Sequence, residues 1–116
     1  MAEYIVERLQ TTTTGREQIH APDVAPADEM TLVTDIMVHN TDSSAVTVSL
    51  EFGRNAAYFY LYKSVSIPAG DTLNIRDKIV LRGEKVDNIA ITTSAANVVN
   101  VVLNGIKLPD LGVGLY

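Results

Sequence analysis

The residues of this chain that could carry out chemistry are few and are scattered. His20 and His39 are the only histidines, and no HxH or HxxxH spacing brings a second ligand near either of them. A zinc site needs three or four converging ligands. The sequence has no cysteine, which excludes disulfides, thiol catalysis and cysteine-bound zinc. We therefore predict that the chain holds no metal and that both histidines lie on a surface or at an interface.

Other catalytic or ligand-binding patterns are also missing. No serine lies in a GxSxG turn, and Gly83 and Gly105 stand alone rather than in a phosphate-binding glycine pattern. No acidic stretch has the DxDxDG spacing of a calcium loop, and Asp35 falls inside an apolar strand, where we expect it on a solvent face or an edge. The sequence predicts a protein that is not an enzyme and has no cofactor.

A tyrosine row is the most distinctive group of side chains. Tyr58, Tyr60 and Tyr62 alternate with Phe59 and Leu61, so we expect the tyrosines on one face of a strand and the other two residues on the opposite face. Tyrosines are enriched in protein interfaces, and aromatic rings can also serve as platforms for sugars. A strand that is apolar on both faces is either central in its sheet or covered by something else. The row therefore leaves two interpretations, an interface and a glycan-binding surface.

The elements that must position these residues are short strands. Alternating apolar residues, clearest in Val46–Phe52, predict about eight strands and no helix of three turns. We expect Met30–Asn40 and Val46–Phe52 to form an antiparallel hairpin through the turn at residues 40–44, which is rich in Asn, Asp and Ser. Strands at this spacing indicate an all-β fold, a two-sheet antiparallel β-sandwich of jelly-roll or Ig-like type.

The sandwich is predicted over residues 29–108, with an extended N-terminal arm at 1–28 and a short C-terminal tail at 109–116. Fraying of the arm, and packing of the tail on its own sandwich, are the alternatives to docking on a neighbouring subunit. The candidate interface residues in these segments are apolar and would be poorly placed in water: Tyr4, Ile5, Val6 and Leu9 in the arm, and Leu111, Val113, Leu115 and Tyr116 in the tail.

Charge and hydropathy narrow the range of partners. The net charge is −5, and the basic residues between Lys63 and Lys85 alternate with acidic ones, so the basic stripe that binds nucleic acid is missing. The N-terminus lacks the basic start and apolar run of a signal peptide. No apolar stretch approaches the ~18 residues of a membrane span. We predict that the chain binds neither nucleic acid nor membrane.

Two segments of the sequence resemble a known family. These are DIMVHNTDSSAVTVSLEF and SIPAGDTLNIRDKIVLRGEKVDNIAITTSAANVVNVVLNGIKL, which together span most of Leu32–Leu108. They are similar to small β-sandwich virion structural proteins of tailed bacteriophages, although Glu84-Lys85 stands where a Gly-Asp turn is more usual. The resemblance carries no catalytic residues.

The resemblance implies a virion component assembled in the host cytoplasm. Within a particle it implies a capsid decoration or cement protein, or a neck, collar or tail protein. Such a protein binds the major capsid protein or neighbouring virion proteins. We also predict a homo-oligomer, with a trimer favoured.

Overall fold

A computed structural model describes residues 3–22 and 29–109. These residues form nine β-strands. The strands are, in chain order, β1 (Glu3–Gln10), β2 (Glu17–His20), β3 (Glu29–Asn40), β4 (Val46–Arg54), β5 (Ala57–Ile67), β6 (Thr72–Ile75), β7 (Ile79–Arg82), β8 (Asp87–Thr93) and β9 (Val99–Pro109), with a 3-10 turn at Gly83–Lys85. The predicted all-β fold is confirmed.

The strands form two antiparallel sheets that pack as a sandwich. The five-stranded sheet has the order β1-β9-β3-β6, with β7 also paired to β3, and the four-stranded sheet has the order β2-β8-β4-β5. Most connections cross from one sheet to the other, and only β4–β5 and β6–β7 stay within a sheet. This is the strand order of a jelly roll, so of the two predicted sandwich types the jelly roll is the one observed.

The core lies between the two sheets and consists of aliphatic side chains. The alternation that predicted the strands also selects the buried residues, because every second side chain of a strand points to the same face. The described residues of the core cluster are Ile19, Val33, Ile36, Val38, Val46, Val48, Leu50, Ile67, Ile75, Ile79, Leu81, Ile89, Ile91, Val99, Val101 and Leu103.

The predicted hairpin between β3 and β4 is wrong, because these strands belong to different sheets. The chain crosses between the sheets at a corner built by the buried side chain of Asn40. Its amide nitrogen donates to the backbone carbonyls of Ser44 at 2.9 Å, Ile67 at 3.0 Å and Pro68 at 3.2 Å. Its amide oxygen accepts from the backbone N–H of Asp42 at 2.8 Å. One side chain therefore ties the β3–β4 crossing to the end of β5.

Residues 3–22, the described part of the predicted N-terminal arm, contribute two strands to the sandwich. β1 pairs with β9 along its whole length, and β2 pairs with β8. Ile5 and Leu9 pack against the core, which is the apolar burial that holds β1 in place. The turn between β1 and β2 is fixed by the Glu17 carboxylate, which accepts from the backbone N–H of Thr12 at 3.0 Å. The structure thus differs from the expectation of a segment that extends away from the domain.

The predicted tail begins at the last residue of β9, since Pro109 pairs with Glu29 of β3. Leu111, Val113, Leu115 and Tyr116 lie outside the described residues. The interface role expected of these four side chains stays a prediction.

Candidate functional site

An apolar row crosses the outer face of the five-stranded sheet. Tyr4 of β1 pairs with Ile106 of β9, Ile106 pairs with Leu32 of β3, and Leu32 pairs with Val80 of β7. Each of the four points away from the core, because its strand neighbours Ile5, Gly105, Val33 and Leu81 face inward. Tyr4 is 86% exposed and Val80 44% exposed, while Leu32 and Ile106 are half-buried between them. We call these four residues the apolar stripe.

The stripe could not be found from the sequence. Its members come from four strands separated along the chain, and only the pairing register brings them together. Four neighbouring strands span about 14 Å across a sheet. One row further along, Val6 is 55% exposed beside Asn104, whose amide nitrogen lies 3.1 Å from the Asp35 carboxylate. Asp35 therefore lies on the outer face, as predicted.

A second apolar surface lies on β5, which is an edge strand of the four-stranded sheet. Phe59 is 62% exposed, Tyr60 57% and Leu61 39%. We call these three residues the edge patch. Solvent-exposed large apolar residues in succession on a sheet edge mark interaction surfaces or aggregation hazards. β5 is therefore not a central strand, and the described residues leave these three side chains exposed.

The predicted single row of tyrosines is wrong, because β5 is irregular. The pairing with β4 shifts register at two places, between Leu50 and Glu51 and between Val48 and Leu50. Ser64 takes a positive φ of 54° at the second place. As a result Tyr62 packs against the core, whereas Tyr60 pairs with the outward-facing Glu51. Bulges of this kind blunt an edge against the addition of further strands.

The Tyr58 ring already packs against Arg16 of the same molecule. The guanidinium of Arg16 lies 3.7 Å from the centre of the Tyr58 ring. The same guanidinium forms two hydrogen bonds to the buried Glu51 carboxylate, at 3.1 and 2.9 Å, and these bonds raise the pKa of Arg16. The contact ties the β1–β2 turn to the middle of the four-stranded sheet. It also covers one face of Tyr58, which leaves Tyr60 as the exposed tyrosine of the three.

Tyr62 is also engaged, since its hydroxyl donates to the carboxylate of Asp77 in the β6–β7 connection. This hydrogen bond raises the pKa of Tyr62. It holds the connection, with its exposed residues Arg76 and Lys78, beside β5. The three tyrosines thus have three different environments, and the flat platform needed for the glycan interpretation is not formed.

The predicted interface residues of β1 divide between the two faces of the strand. Tyr4 and Val6 are exposed on the outer face, and Ile5 and Leu9 pack inward on the core. The structure therefore places Tyr4 and Val6 at a candidate interface and gives Ile5 and Leu9 a role in folding.

Among the described residues no group of three or more His, Asp or Glu side chains could hold a metal ion. His20 lies between Glu7 and Thr31, with its ring nitrogens 3.3 Å from a Glu7 carboxylate oxygen and 2.9 Å from the Thr31 hydroxyl. His39 contacts the Thr72 hydroxyl at 2.7 Å. His20 thus bridges the two sheets, whereas His39 joins the neighbouring strands β3 and β6.

A cavity of about 310 Å³ lies along the β1–β9 ladder and is lined by Arg8, Leu9, Gln10, Asn100, Val101 and Val102. Its lining holds one ionisable side chain, Arg8, so it offers no pair of groups for acid–base catalysis. Within residues 3–22 and 29–109, no helix is long and apolar enough to cross a membrane.

No protein-family model matches the chain, and no curated protein matches it. Solved structures share its fold at very low sequence identity. A Drosophila NLP core, described in connection with pentamer formation and histone binding, has a TM-score of 0.60 and 8% identity, over 93% of this chain and 97% of that one. A protein of Bacillus endospore appendages, a family of disulfide-linked pili, has a TM-score of 0.53 and 12% identity, over 94% and 87%.

A chain of the infectious bursal disease virus particle also has this fold, with a TM-score of 0.55 and 4% identity. The match covers 94% of this chain but 31% of the viral one, so this protein spans about a third of that chain's length. At these identities the likeness establishes the jelly-roll fold, which this chain shares with a protein of a viral particle.

Proposed function

We propose that the protein is a non-enzymatic structural component of a tailed-phage particle, a capsid decoration or cement protein that self-assembles and binds the shell. The observation that carries the proposal is the apolar stripe. It leaves a large tyrosine and flanking aliphatic side chains on the outer face of a sheet whose other face packs on the core.

The physical argument concerns exposed apolar area. A monomeric soluble protein rarely keeps contiguous apolar surface that does nothing, and this sandwich has two such surfaces, the apolar stripe and the edge patch. Each buried apolar side chain contributes about 1.5–3 kcal/mol before ordering costs are counted. A single contact of this size is weak, but repetition across a lattice makes it effective through high local concentration.

The fold comparison supports the same view. Three of the similar structures are described in connection with a viral particle, with pili and with pentamer formation. Each of these descriptions refers to an assembly, although the identity to this chain is only 4–12%. The sequence resemblance to virion proteins of tailed bacteriophages supports the phage particle as the assembly.

The route of attachment changes from the one that the sequence suggested. Because residues 3–22 belong to the sandwich, shell contacts of this region come from the outer face of β1, through Tyr4 and Val6, and not from a flexible arm. A rigid face is ordered before binding and so loses less conformational entropy on contact.

The test is the presence and copy number of the chain in phage particles purified from cells that produce it, by quantitative mass spectrometry against the major shell protein. A decoration protein should be present in hundreds of copies, whereas a neck, collar or tail protein should be present in about 6–12. A low copy number would move the protein to the alternative location. Absence from purified particles would overturn the virion proposal altogether.

A further inference from the structure

β1 is an open edge of the five-stranded sheet, since among the described residues only β9 pairs with it. Its pairing with β9 runs over eight residues, Glu3–Gln10, without a register shift. The other long edge strand, β5, has two register shifts, and β2, β6 and β7 have four residues each. Bulged or very short edge strands resist the addition of a further strand, whereas a long regular one is a template for it. Within the part of the chain that the structure describes, β1 is therefore the edge best suited to strand addition.

The open backbone groups of β1 belong to its even-numbered residues. Thr11 follows β1 in the same register, and its N–H donates to the Val99 carbonyl at 3.0 Å. In an antiparallel ladder, residues that bond to the partner strand alternate with residues whose N–H and C=O groups point the opposite way. The odd-numbered residues of β1 therefore bond to β9. The residues whose backbone groups point off the sheet are Tyr4, Val6, Arg8 and Gln10, and their side chains are exposed as well.

A second copy of β1 can pair with this edge in several registers, and the side chains favour one of them. Two identical antiparallel strands are related by a two-fold axis, so each register is defined by the residue on that axis. An axis at Glu7 places two Glu7 carboxylates opposite each other, and an axis at Ile5 places Glu3 opposite Glu7. An axis at Arg8 places two guanidiniums opposite each other, and axes nearer the ends of the strand shorten the overlap. Like charges directly opposite each other destabilise a strand pair, and an axis at Val6 avoids every such pair.

The register with its axis at Val6 also gives Arg8 a partner. Tyr4 of each copy then lies opposite Arg8 of the other copy on the outer face, with the two Val6 side chains between them. Arg8 is exposed and forms no salt bridge with any described residue. A guanidinium on a tyrosine ring is a favourable cation–π contact, and this protein already contains one between Arg16 and Tyr58. The two-fold axis supplies the Tyr4–Arg8 contact twice.

We propose that β1 of one copy pairs with β1 of a second copy as antiparallel strands, with the two-fold axis at Val6. About six backbone hydrogen bonds cross this contact, because the facing pairs of Tyr4, Val6 and Arg8 exchange two each. A contact between identical surfaces closes after two copies, so it gives a dimer and not the trimer that the sequence favoured.

The inference rests on the self-assembly part of the proposed function and names the surface that performs it. In the dimer the two five-stranded sheets form one continuous sheet, because directly opposite residues of paired strands point to the same face. The two apolar stripes then lie on the same side of that sheet. A rigid unit with two binding surfaces holds a shell more tightly than a unit with one.

Cysteine cross-linking tests the contact and its register. An edge-to-edge contact of two strands is small, and small contacts are weak, so a covalent trap is more sensitive than sedimentation alone. The chain has no cysteine, so a single introduced thiol reports one position. Val6→Cys places two thiols on facing residues with Cα atoms about 5.5 Å apart, which is within the range of a disulfide.

Gln10→Cys is the matched control, because Gln10 lies on the same face of the same strand. In the proposed register its counterpart lies eight residues along the strand, about 26 Å away, which no disulfide spans. Each rate is divided by the rate at which the same thiol reacts with a small disulfide reagent. In a glutathione redox buffer, Val6→Cys should then form disulfide dimers at least about tenfold faster than Gln10→Cys. Equal rates would overturn the contact.

The backbone contribution is tested by Val6→Pro and Val6→Thr. Proline removes the N–H that points off the sheet and is tolerated at such edge positions, whereas threonine keeps the N–H. In sedimentation experiments over a concentration series, Val6→Thr should dimerise like the wild type. Val6→Pro loses the two central hydrogen bonds and should need an about 30-fold higher concentration. Equal association of the two variants, both with the wild-type circular dichroism spectrum, would show that β1 does not pair through its edge.

The register is tested a second time by Tyr4→Glu and Tyr4→Lys. Both variants remove the ring, but glutamate faces Arg8 of the other copy with the opposite charge and lysine faces it with the same charge. Tyr4→Glu should dimerise at an about tenfold lower concentration than Tyr4→Lys. The reverse order would overturn the axis at Val6.

The remaining outcomes separate other occupants and the virion role. Slow cross-linking of Val6→Cys, together with loss of association in a full-length Val113→Asp variant, would mean that the C-terminal segment of another copy occupies the edge. Particles that contain the chain although Val6→Cys does not cross-link would refute the dimer alone. Cross-linked dimers that are not incorporated into particles would refute the virion role alone.

Discussion

Replacement of Asn40 by alanine should destabilise the protein more than any other removal of a neutral polar side chain at the β3–β4 corner. The Asn40 side chain is fully buried and serves three backbone carbonyls and one backbone N–H. The bond to the Ile67 carbonyl is buried, so its loss leaves an acceptor that water cannot reach, at a cost of about 1–3 kcal/mol. The other three bonds lie closer to solvent and contribute about 0.5–1.5 kcal/mol each at most.

Because one amide group has only two N–H donors, the three carbonyls share them, and the bonds to the carbonyls cannot all be strong. The expected loss for Asn40→Ala is therefore about 3–4 kcal/mol, a large part of the ~5–15 kcal/mol that stabilises an ordinary domain. Urea denaturation followed by far-ultraviolet circular dichroism measures this loss as a lower midpoint with an unchanged slope.

Thr41→Ala is the matched control for Asn40→Ala. The Thr41 hydroxyl donates to the Val98 carbonyl at 2.9 Å in an exposed position, so its removal should cost about 1 kcal/mol or less. If Asn40→Ala and Thr41→Ala lower the stability equally, the corner does not depend on the buried amide. The account given for the crossing between the sheets would then be refuted.

Three further changes test other parts of the structure. Arg54→Ala should lower the free energy of unfolding by about 3 kcal/mol in urea denaturation. The substitution removes the guanidinium that binds the fully buried Asp87 carboxylate at 2.6 and 2.8 Å. A loss under ~1 kcal/mol would contradict this prediction. Gly105→Ala should lower the free energy of unfolding by about 1–3 kcal/mol in the same assay. The new Cβ would lie 2.9 Å from a backbone carbonyl oxygen of β3. Wild-type stability of this variant would show that the sheet can shift to accept the methyl group. The hydrogen bond to Asp77 raises the Tyr62 pKa, so its stabilising effect is present below pH ~10 and is lost as the pH rises through the higher folded-state pKa. Asp77→Asn should lower the Tyr62 pKa, measured as the change in a titration of tyrosinate absorbance that Tyr62→Phe abolishes. An unchanged titration would count against the bond.

The sequence predicted the strands and the core well because both follow from the alternation of side chains within one strand. Val46, Val48 and Leu50 of β4 were predicted to share a face, and all three are buried. Alternation does not say which strand is the partner, so it predicts a hairpin where the chain instead crosses from β3 to β4 in the other sheet. The residue that decides the crossing, Asn40, resembles an ordinary turn residue in sequence, and only its burial reveals its role.

The sequence failed at β5 for a different physical reason. A strict period of two holds only while the ladder is regular, and β5 has two register shifts within eleven residues. Neither shift is marked by glycine or proline, the usual sequence signs of a bulge. Ser64 instead takes the left-handed conformation there, and its backbone N–H bonds to the Ser49 hydroxyl at 2.9 Å. A side chain of the neighbouring strand thus compensates for a conformation that the sequence of β5 does not indicate.

The composition of β5 nevertheless contained information about assembly. A strand with Phe59 and Leu61 on one side and tyrosines on the other was expected to be central or covered, and the structure shows that it is an edge strand. The apolar residues of an edge strand would be selected against if the edge met only water, since they favour uncontrolled association. The same holds for Tyr4, the most exposed large apolar side chain of β1. Where a sequence predicts burial and the folded chain shows exposure, as at Phe59 and Tyr4, the exposed side chains are the first ones to test by mutation for contact with a partner.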